Sequence, residues 1–414
     1  MNIKRHNIII RADNTRVLLR PFNITPERIT RIINELLSLD ETQVINLYSK
    51  VLLEFKHRHR SLEEYYLKRF QELNVTGELS EARKKLLASY FTMEYSVESA
   101  ALFNPSIVWH PHQNGAAENE KKFIMSLRAT GEGHISSIMF KLGTIDSANN
   151  ILISDHLRFT TGALEYKITD PDQHDYEMNF SPETFIDERI IFPYSPAESN
   201  GIEDARFVEF RNDNGESTYY ATYTAYNGRE ISPKLLETKD FLHFRISTLG
   251  GSEVSNKGFA LFPRRINGSY VMISRQDNEN IFIMYSDNLY NWNKKEELLA
   301  PKYPWELVQL GNCGSPIEID QGWLLLTHGV GHMRKYCISA ILLDKNNPSK
   351  IIGRLTEPLI SPDDKEREGY VPNVVYSCGG ILNNDTLIIP YAMSDSTSSF
   401  ATIELRELIK YMSL

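Results

Sequence analysis

Residues Ser199–Phe207 read SNGIEDARF, and the chain continues through FVEF and a turn at Asn214-Gly215 into STYYATYTAY (Ser217–Tyr226). A glycine, two adjacent carboxylates and an arginine thus open a strongly β-prone run. A solvated acidic turn accounts for an isolated E-D-x-R string. What the charge does here depends on what the rest of the chain supplies. The same texture of short alternating or β-branched runs continues from Phe103 onward, in SYVMISR (Ser269–Arg275), NIFIMYSD (Asn280–Asp287), GWLLLTHGV (Gly322–Val330) and DTLIIPYAMSD (Asp385–Asp395). Turn signals at Asn227-Gly228, Asn267-Gly268 and Asn384-Asp385 separate the runs. Such a length of antiparallel strand, without long helices, leaves a pair of sandwiches or a radial propeller. TKDFLHFRI (Thr238–Ile246) and YSDNLYNWNK (Tyr285–Lys294) repeat a strand, an Asp-containing turn and an aromatic residue. Their separation of about fifty residues suits a propeller blade and favours that architecture.

The chain before this region has a different period. From Thr25 to about Ala100, ITRIINELL, TQVINLYSKVLLEF, LEEYYLKRFQEL and ARKKLLASYF place apolar residues three and four apart with almost no glycine, which predicts three or four amphipathic helices. Thr25-Pro26 has the form of a helix start, and Asp40-Glu41 of a second. The expected organisation is a segment over residues 1–100, mainly helical from about residue 25, followed by a strand domain over residues 101–414. A short helix is expected to close the chain near Glu404–Met412.

Composition narrows the partners. Of 414 residues, 41% are hydrophobic and 24% charged, an ordinary globular balance. The 54 acidic against 45 basic residues give a formal charge of −9 with no long basic run, so neither nucleic acid nor an anionic membrane is an expected partner. Cys313, Cys337 and Cys378 are widely spaced and suggest neither a disulfide framework nor a zinc site. The start, MNIKRHNIIIRADN, has too short an apolar run for a signal peptide, and no stretch approaches the ~18 apolar residues of a membrane span. The expected location is the cytoplasm.

Polar residues recur at strand ends in apolar surroundings about once per presumed blade. They are Asn104, Arg128, the group Glu203, Asp204 and Arg206, then Lys257, Arg275, Glu318, His328, Glu366, Glu368 and Asp395. In a propeller such residues converge on one pocket. The pocket would hold carboxylates and cations among many tyrosines, without a nucleophile elbow or a phosphate-cradling glycine loop. Carboxylates with aromatic platforms suit carbohydrate, where one acid protonates the departing oxygen. His328 and His332 are four apart in H-G-V-G-H, but on a strand that spacing shares no helical face, so no metal is expected.

Taken in order, FNPSIV (103–108), the G-x-E-D-x-R of residues 201–206, NKGFALFP (256–263) with Arg275 following, GWLLLTHGV, LLD (342–344) and E-x-x-G-Y-V-P-N-V-V (366–375) resemble glycoside hydrolase family 130, the β-mannoside phosphorylases and β-mannosidases. The resemblance implies an all-β, five-bladed β-propeller with an N-terminal α-helical extension, acting with inversion on β-mannosides. The helices would offer contacts for a homo-oligomer or help close the pocket. It implies that Asp204 is the proton donor, acting through a substrate hydroxyl. Asn104, Arg128, Glu203, Arg206 and Asp395 would contact sugar or hold the strand end, and Lys257, Arg275 and His328 would hold an anion. Neighbouring strand residues point to opposite sides, so Glu203 and Asp204 are not expected to face one bond together.

Two departures matter. Ala205 stands where the family usually has proline. Glu318 stands in a segment, SPIEIDQGW, where phosphorylases tend to have a lysine that helps hold phosphate. A carboxylate about 4 Å from a phosphate charge would oppose it by about 4 kcal/mol at an effective dielectric of ~20. The sequence therefore points first to a β-mannoside hydrolase, with Asp204 as acid and Glu318, Glu366 or Glu368 as the base that activates water. The resemblance of the long helical N-terminus to members acting on β-1,2-linked manno-oligosaccharides implies these as substrates. The second reading is a phosphorylase that releases mannose 1-phosphate, with inorganic phosphate as co-substrate and no other cofactor. A third is a sugar-binding propeller without catalysis.

Overall fold

The structure, a computed structural model, describes residues 1–154 and 159–413. Contacts divide the chain into two units, one of residues 13–97 with 157–162 and one of residues 1–12, 98–156 and 163–414. Residues 1–12 belong to the strand unit. Lys4–Arg5 pairs antiparallel with Thr397–Glu404, Lys4 opposite Thr402, so the start of the chain completes a sheet built by its end. No local sequence signal announces a pairing that distant.

In the smaller unit, α1 (Pro26–Ser38), α2 (Glu41–Phe55), α3 (Leu62–Glu72) and α4 (Glu81–Ser89) bury Leu36, Val44, Tyr48, Leu62, Tyr66 and Leu86 against one another. Asp40 caps α2 in a reciprocal box with Gln43, as its position in the sequence suggests. Thr25 precedes the first-turn proline of α1, yet its side chain makes no capping bond. Arg83 reaches from α4 to the orphan carbonyls at the end of α1, donating to Leu36 at 2.8 Å and Leu39 at 2.9 Å. A two-stranded ribbon, Val17–Pro21 with Thr92–Ser96, accompanies the helices.

The larger unit is a succession of five antiparallel sheets of four to six strands. One edge of each is formed by Ala101–Trp109, Ile202–Arg211, Lys257–Leu261, Gln309–Asn312 and Val375–Tyr376 respectively. Tight turns close the hairpins where the Asn-containing pairs signalled them. Asn267 and Gly268 both take positive φ, +51° and +86°, as a two-residue turn requires. Apolar clusters fill the space between successive sheets. Phe140 and Phe207 pack between the first and second, Phe210 and Met272 between the second and third, Phe262 and Trp323 between the third and fourth, and Leu326 and Leu387 between the fourth and fifth.

Hydrogen bonds link the sheets in the same order. Phe207 N donates to Ser106 Oγ at 3.0 Å, Thr222 Oγ1 to the Phe259 carbonyl at 2.5 Å and Asn312 Nδ2 to the Gly258 carbonyl at 2.5 Å. Tyr336 N donates to the Asn373 carbonyl at 3.0 Å, and Cys378 N returns to the Pro105 carbonyl of the first sheet at 2.8 Å. The closing helix, α5 (Leu405–Lys410), follows the last strand.

Candidate active site

Three consecutive sheets begin with the same irregularity. The ladder register shifts between Phe103 and Ser106, between Glu203 and Arg206, and between Lys257 and Ala260. Inside each shift one residue takes a left-handed backbone: Asn104 at φ +50°, Asp204 at +54° and Gly258 at +87°. Such bulges re-aim side chains at strand ends. Here they bring Asn104 Nδ2 to 2.6 Å from Asp204 Oδ1 across the first two sheets.

The bulge also overturns the alternation argument for the two carboxylates. Glu203 Oε1 lies 2.8 Å from Arg128 Nη2, and Asp204 Oδ1 lies 3.6 Å from Arg128 Nη1, so both face the same guanidinium. Strict alternation holds only for a regular ladder, and Asp204 does not sit in one. Lys257 approaches Glu203 at 3.9 Å from the third sheet. Gly201 explains the glycine of the opening stretch. Its φ is +124°, and a Cβ there would lie 2.7 Å from Ser136 N, because residues 136 and 201 form a bridge between the first two sheets. Ser136 Oγ in turn accepts from Arg128 Nε at 2.9 Å. Just upstream, fully buried Glu198 accepts from the hydroxyls of Tyr223 at 2.5 Å and Tyr176 at 3.0 Å and from two backbone N–H groups, anchoring the approach to the strand.

A second group lies deeper. Arg206 Nη2 donates to the Tyr376 hydroxyl at 2.6 Å, and the Tyr376 ring meets His328 edge-on at 4.9 Å. His328 Nε2 lies 3.3 Å from Arg275 Nη1, and its Nδ1 lies 3.2 Å from the Asn312 carbonyl. A carbonyl can only accept, so Nδ1 carries the proton and Nε2 receives the Arg275 N–H. Gly311 makes room for the imidazole, since a Cβ there would stand 2.3 Å from its Cε1. Burial, with Arg275 and Arg206 close by, holds His328 well below the usual imidazole range and therefore neutral.

Burial would push the Asp204 carboxyl up, but Arg128, Arg206 and Lys257, with the Asn104 amide, outweigh it and hold that carboxyl below its ordinary range. Asp395, on the fifth sheet, is pushed up to about 6 by burial and by the charge of Asp204. Two orphan donors stand out. Arg206 Nε and Arg275 Nε are buried without a hydrogen-bond partner, and among the described residues neither guanidinium forms an ion pair with a carboxylate. Asn104 Oδ1 is likewise buried and unpartnered. Unmatched buried polar groups of this kind are expected where a ligand completes the pairing.

The structure thus brings together Asn104, Arg128, Glu203, Asp204, Arg206, Lys257, Arg275, His328 and Asp395. It does not bring the three glutamates to them. Glu318 forms a two-pronged ion pair with Arg264, both oxygens at 2.8 Å, and approaches Lys345 at 3.5 Å. It pairs with Trp323 near a hairpin turn, five residues along the strand from His328 and so about 16 Å away. There it lines a separate cavity of about 680 Å³ with Asp320 and Asp385. Buried Glu366 is held by Arg5 at 3.2 Å and the Tyr391 hydroxyl at 2.5 Å, which satisfies it structurally. Glu368 is exposed and, among the described residues, has no bond to the cluster. Sequence reading passed over Tyr376 and Asn312. Their signal was slight: each is a polar residue at the mouth of a short strand. Among the described residues no group of three or more His, Cys, Asp or Glu side chains could hold a metal.

Sheets that converge acids, cations and amides on one polar site suit a carbohydrate-active enzyme. The chain belongs to glycoside hydrolase family 130, whose model, described as β-1,4-mannooligosaccharide phosphorylase, matches residues 167–414. It is 33% identical over 228 residues to a 1,2-β-oligomannan phosphorylase of Thermoanaerobacter sp. (strain X514), covering 54% of this chain and 75% of that one. A β-1,2-mannobiose phosphorylase of the same organism is 35% identical over 240 residues, 55% of this chain and 74% of its own. Among solved structures, the β-1,2-mannobiose phosphorylase from Listeria innocua in complex with β-1,2-mannobiose superposes with a TM-score of 0.55 at 22% identity, covering 77% of this chain and 92% of that one.

Proposed function

We propose that the five sheets are the blades of a β-propeller and that the protein is an inverting phosphorylase of β-mannosides, with β-1,2-linked manno-oligosaccharides as substrates. The observation that carries the choice of phosphate over water is the pair of buried guanidinium groups, Arg206 and Arg275, whose Nε donors have no partner. Beside Lys257 and a neutral, proton-accepting His328 they leave a cationic recess that an anion would complete. Water would need a carboxylate base instead. The hydrolase expectation rested on Glu318 replacing a lysine at the anion position, and Glu318 lies on another part of the sheet, bound to Arg264. The similarity to two phosphorylases of β-1,2-mannosides supports the same choice.

In this reading a phosphate oxygen attacks the anomeric carbon, and the bond from that carbon to the departing oxygen breaks on the opposite face of the ring. The departing oxygen receives its proton from Asp204 through a sugar hydroxyl, and the proton held by phosphate restores the acid. Asn104 fixes the Asp204 carboxylate, and Arg128 holds it with Glu203. Two of the cations that keep Asp204 ionised in the free protein, Arg206 and Lys257, are ones that phosphate would neutralise. Binding of the nucleophile would therefore raise the Asp204 pKa and load the acid. The test is incubation with β-1,2-mannobiose with and without phosphate: mannose 1-phosphate formed in the first case supports the reading, and phosphate-independent mannose release contradicts it.

A further inference from the structure

Two hairpins in different sheets share one unusual turn. In the first sheet Gly131 N donates to the Ile135 carbonyl at 3.0 Å, and the chain passes through Gly133 and His134 at φ +67° and +61°. In the fourth, Gly331 N donates to the Lys335 carbonyl at 3.0 Å, with Met333 and Arg334 at +53° and +54°. Left-handed backbone at three residues other than glycine is strained, and it persists where the surroundings fix it. The first turn delivers His134 onto Tyr370, rings 5.9 Å apart and inclined by 30°. Both side chains are exposed, Tyr370 by 64%.

The loop that carries Tyr370 is laid along the segment that carries Asp395. Val371 N donates to the Ser394 carbonyl at 3.0 Å, and a Cβ at Gly369 would stand 2.5 Å from that same oxygen. On the other side, Ser136, two residues beyond His134, accepts from Arg128. The stack therefore spans the two segments that hold Arg128 and Asp395. An aromatic pair this exposed adds little to a core, yet a close-packed glycine and a strained turn keep it in place.

Inversion puts the nucleophile and the departing sugar on opposite faces of the reacting ring. Lys257, Arg275 and His328 mark the phosphate side. Asp204, Asn104 and Arg128, with Asp395, mark the departing side, and the stack lies next along it. We infer that Tyr370 and His134 form the platform on which the sugar beyond the cleaved bond stacks, a pyranose of the departing oligosaccharide. The inference rests on the phosphorylase reading for its orientation.

The experiment runs the reaction in reverse, with mannose 1-phosphate as donor and mannose or β-1,2-mannobiose as acceptor, and in parallel measures calorimetric affinity for mannose and for β-1,2-mannobiose. Tyr370→Ala is expected to raise the acceptor KM about tenfold while leaving the donor KM within about twofold, with an unchanged melting temperature, and Tyr370→Trp to restore the acceptor KM. By calorimetry Tyr370→Ala weakens mannobiose binding and spares mannose. An active wild type whose acceptor KM and mannobiose affinity survive Tyr370→Ala overturns the platform. A wild type that makes no disaccharide but binds mannobiose through Tyr370 overturns the reaction and supports the platform. A wild type that binds neither sugar overturns both.

Discussion

Arg275 and His328 form a buried donor–acceptor pair, 3.3 Å from Nη1 to Nε2, in which burial and the neighbouring guanidinium groups keep the imidazole neutral while the Asn312 carbonyl fixes its proton on the other nitrogen. Among the described residues no carboxylate pairs with the guanidinium edge that it presents. Replacing His328 with Asn shortens the acceptor and frees the Arg275 N–H. The phosphate KM should rise about tenfold, the worth of one hydrogen bond to a charged group, about 1.5 kcal/mol. The sugar KM should stay within about twofold. Steady-state kinetics with each substrate varied in turn checks this, and an equal rise in both constants would mean that His328 holds the sugar.

Asp204→Asn removes the acid and keeps the shape. Asparagine tolerates the left-handed φ of +54°. Turnover should fall by about 10²–10⁴, while calorimetric affinity for β-1,2-mannobiose stays within severalfold. Retained turnover would leave the site as a binding module.

The pH dependence follows from two shifts of opposite sign. Asp204 lies below the ordinary carboxylate range in the free protein because its cations outweigh burial, so without phosphate it is protonated only in acid. Neutralising Arg206 and Lys257 with phosphate raises its pKa. The pH above which activity declines should therefore lie higher in kcat, measured with phosphate bound, than in kcat/KM for phosphate. Asp395, pushed up to about 6, is neutral below that pH and charged above it. Asp395→Asn fixes the neutral form and should abolish the titration near pH 6 in sugar affinity. A titration that survives the substitution would belong to another group.

Gly201→Ala tests how the opening stretch is built. The added methyl meets Ser136 N at 2.7 Å on a backbone at φ +124°. The bridge between the first two sheets must yield, with a loss of stability of about 1–3 kcal/mol. Because Ser136 also receives Arg128, activity should fall along with the melting temperature. An unchanged melting temperature would show that the strand end has room to adjust.

Much of this was legible in the sequence because it was periodic or local. The three- and four-residue spacing of ITRIINELL and TQVINLYSKVLLEF gave α1 and α2, and Asn267-Gly268 gave its turn. The ordered motifs led to the residues that now surround Asp204. Three features were not legible. The bulges at Asn104 and Asp204 break the two-residue alternation from which side-chain direction is inferred, so Glu203 and Asp204 were expected on opposite sides. Glu318 depends on where a hairpin reverses, and a short displacement along that hairpin carries a carboxylate from the site to its far end. The stack of His134 on Tyr370 joins segments more than two hundred residues apart, and although Tyr370 lies in the E-x-x-G-Y-V-P-N-V-V motif, nothing in the sequence pairs it with His134.

In the proposed reaction Arg206, Lys257, Arg275 and His328 hold phosphate as the nucleophile. The most direct measurement follows ³¹P NMR during incubation of the purified protein with β-1,2-mannobiose and phosphate. A new signal from α-mannose 1-phosphate is expected, matched one to one by released mannose, with no reaction when phosphate is left out. Mannobiose cleaved at the same rate with or without phosphate, yielding mannose alone, would contradict it.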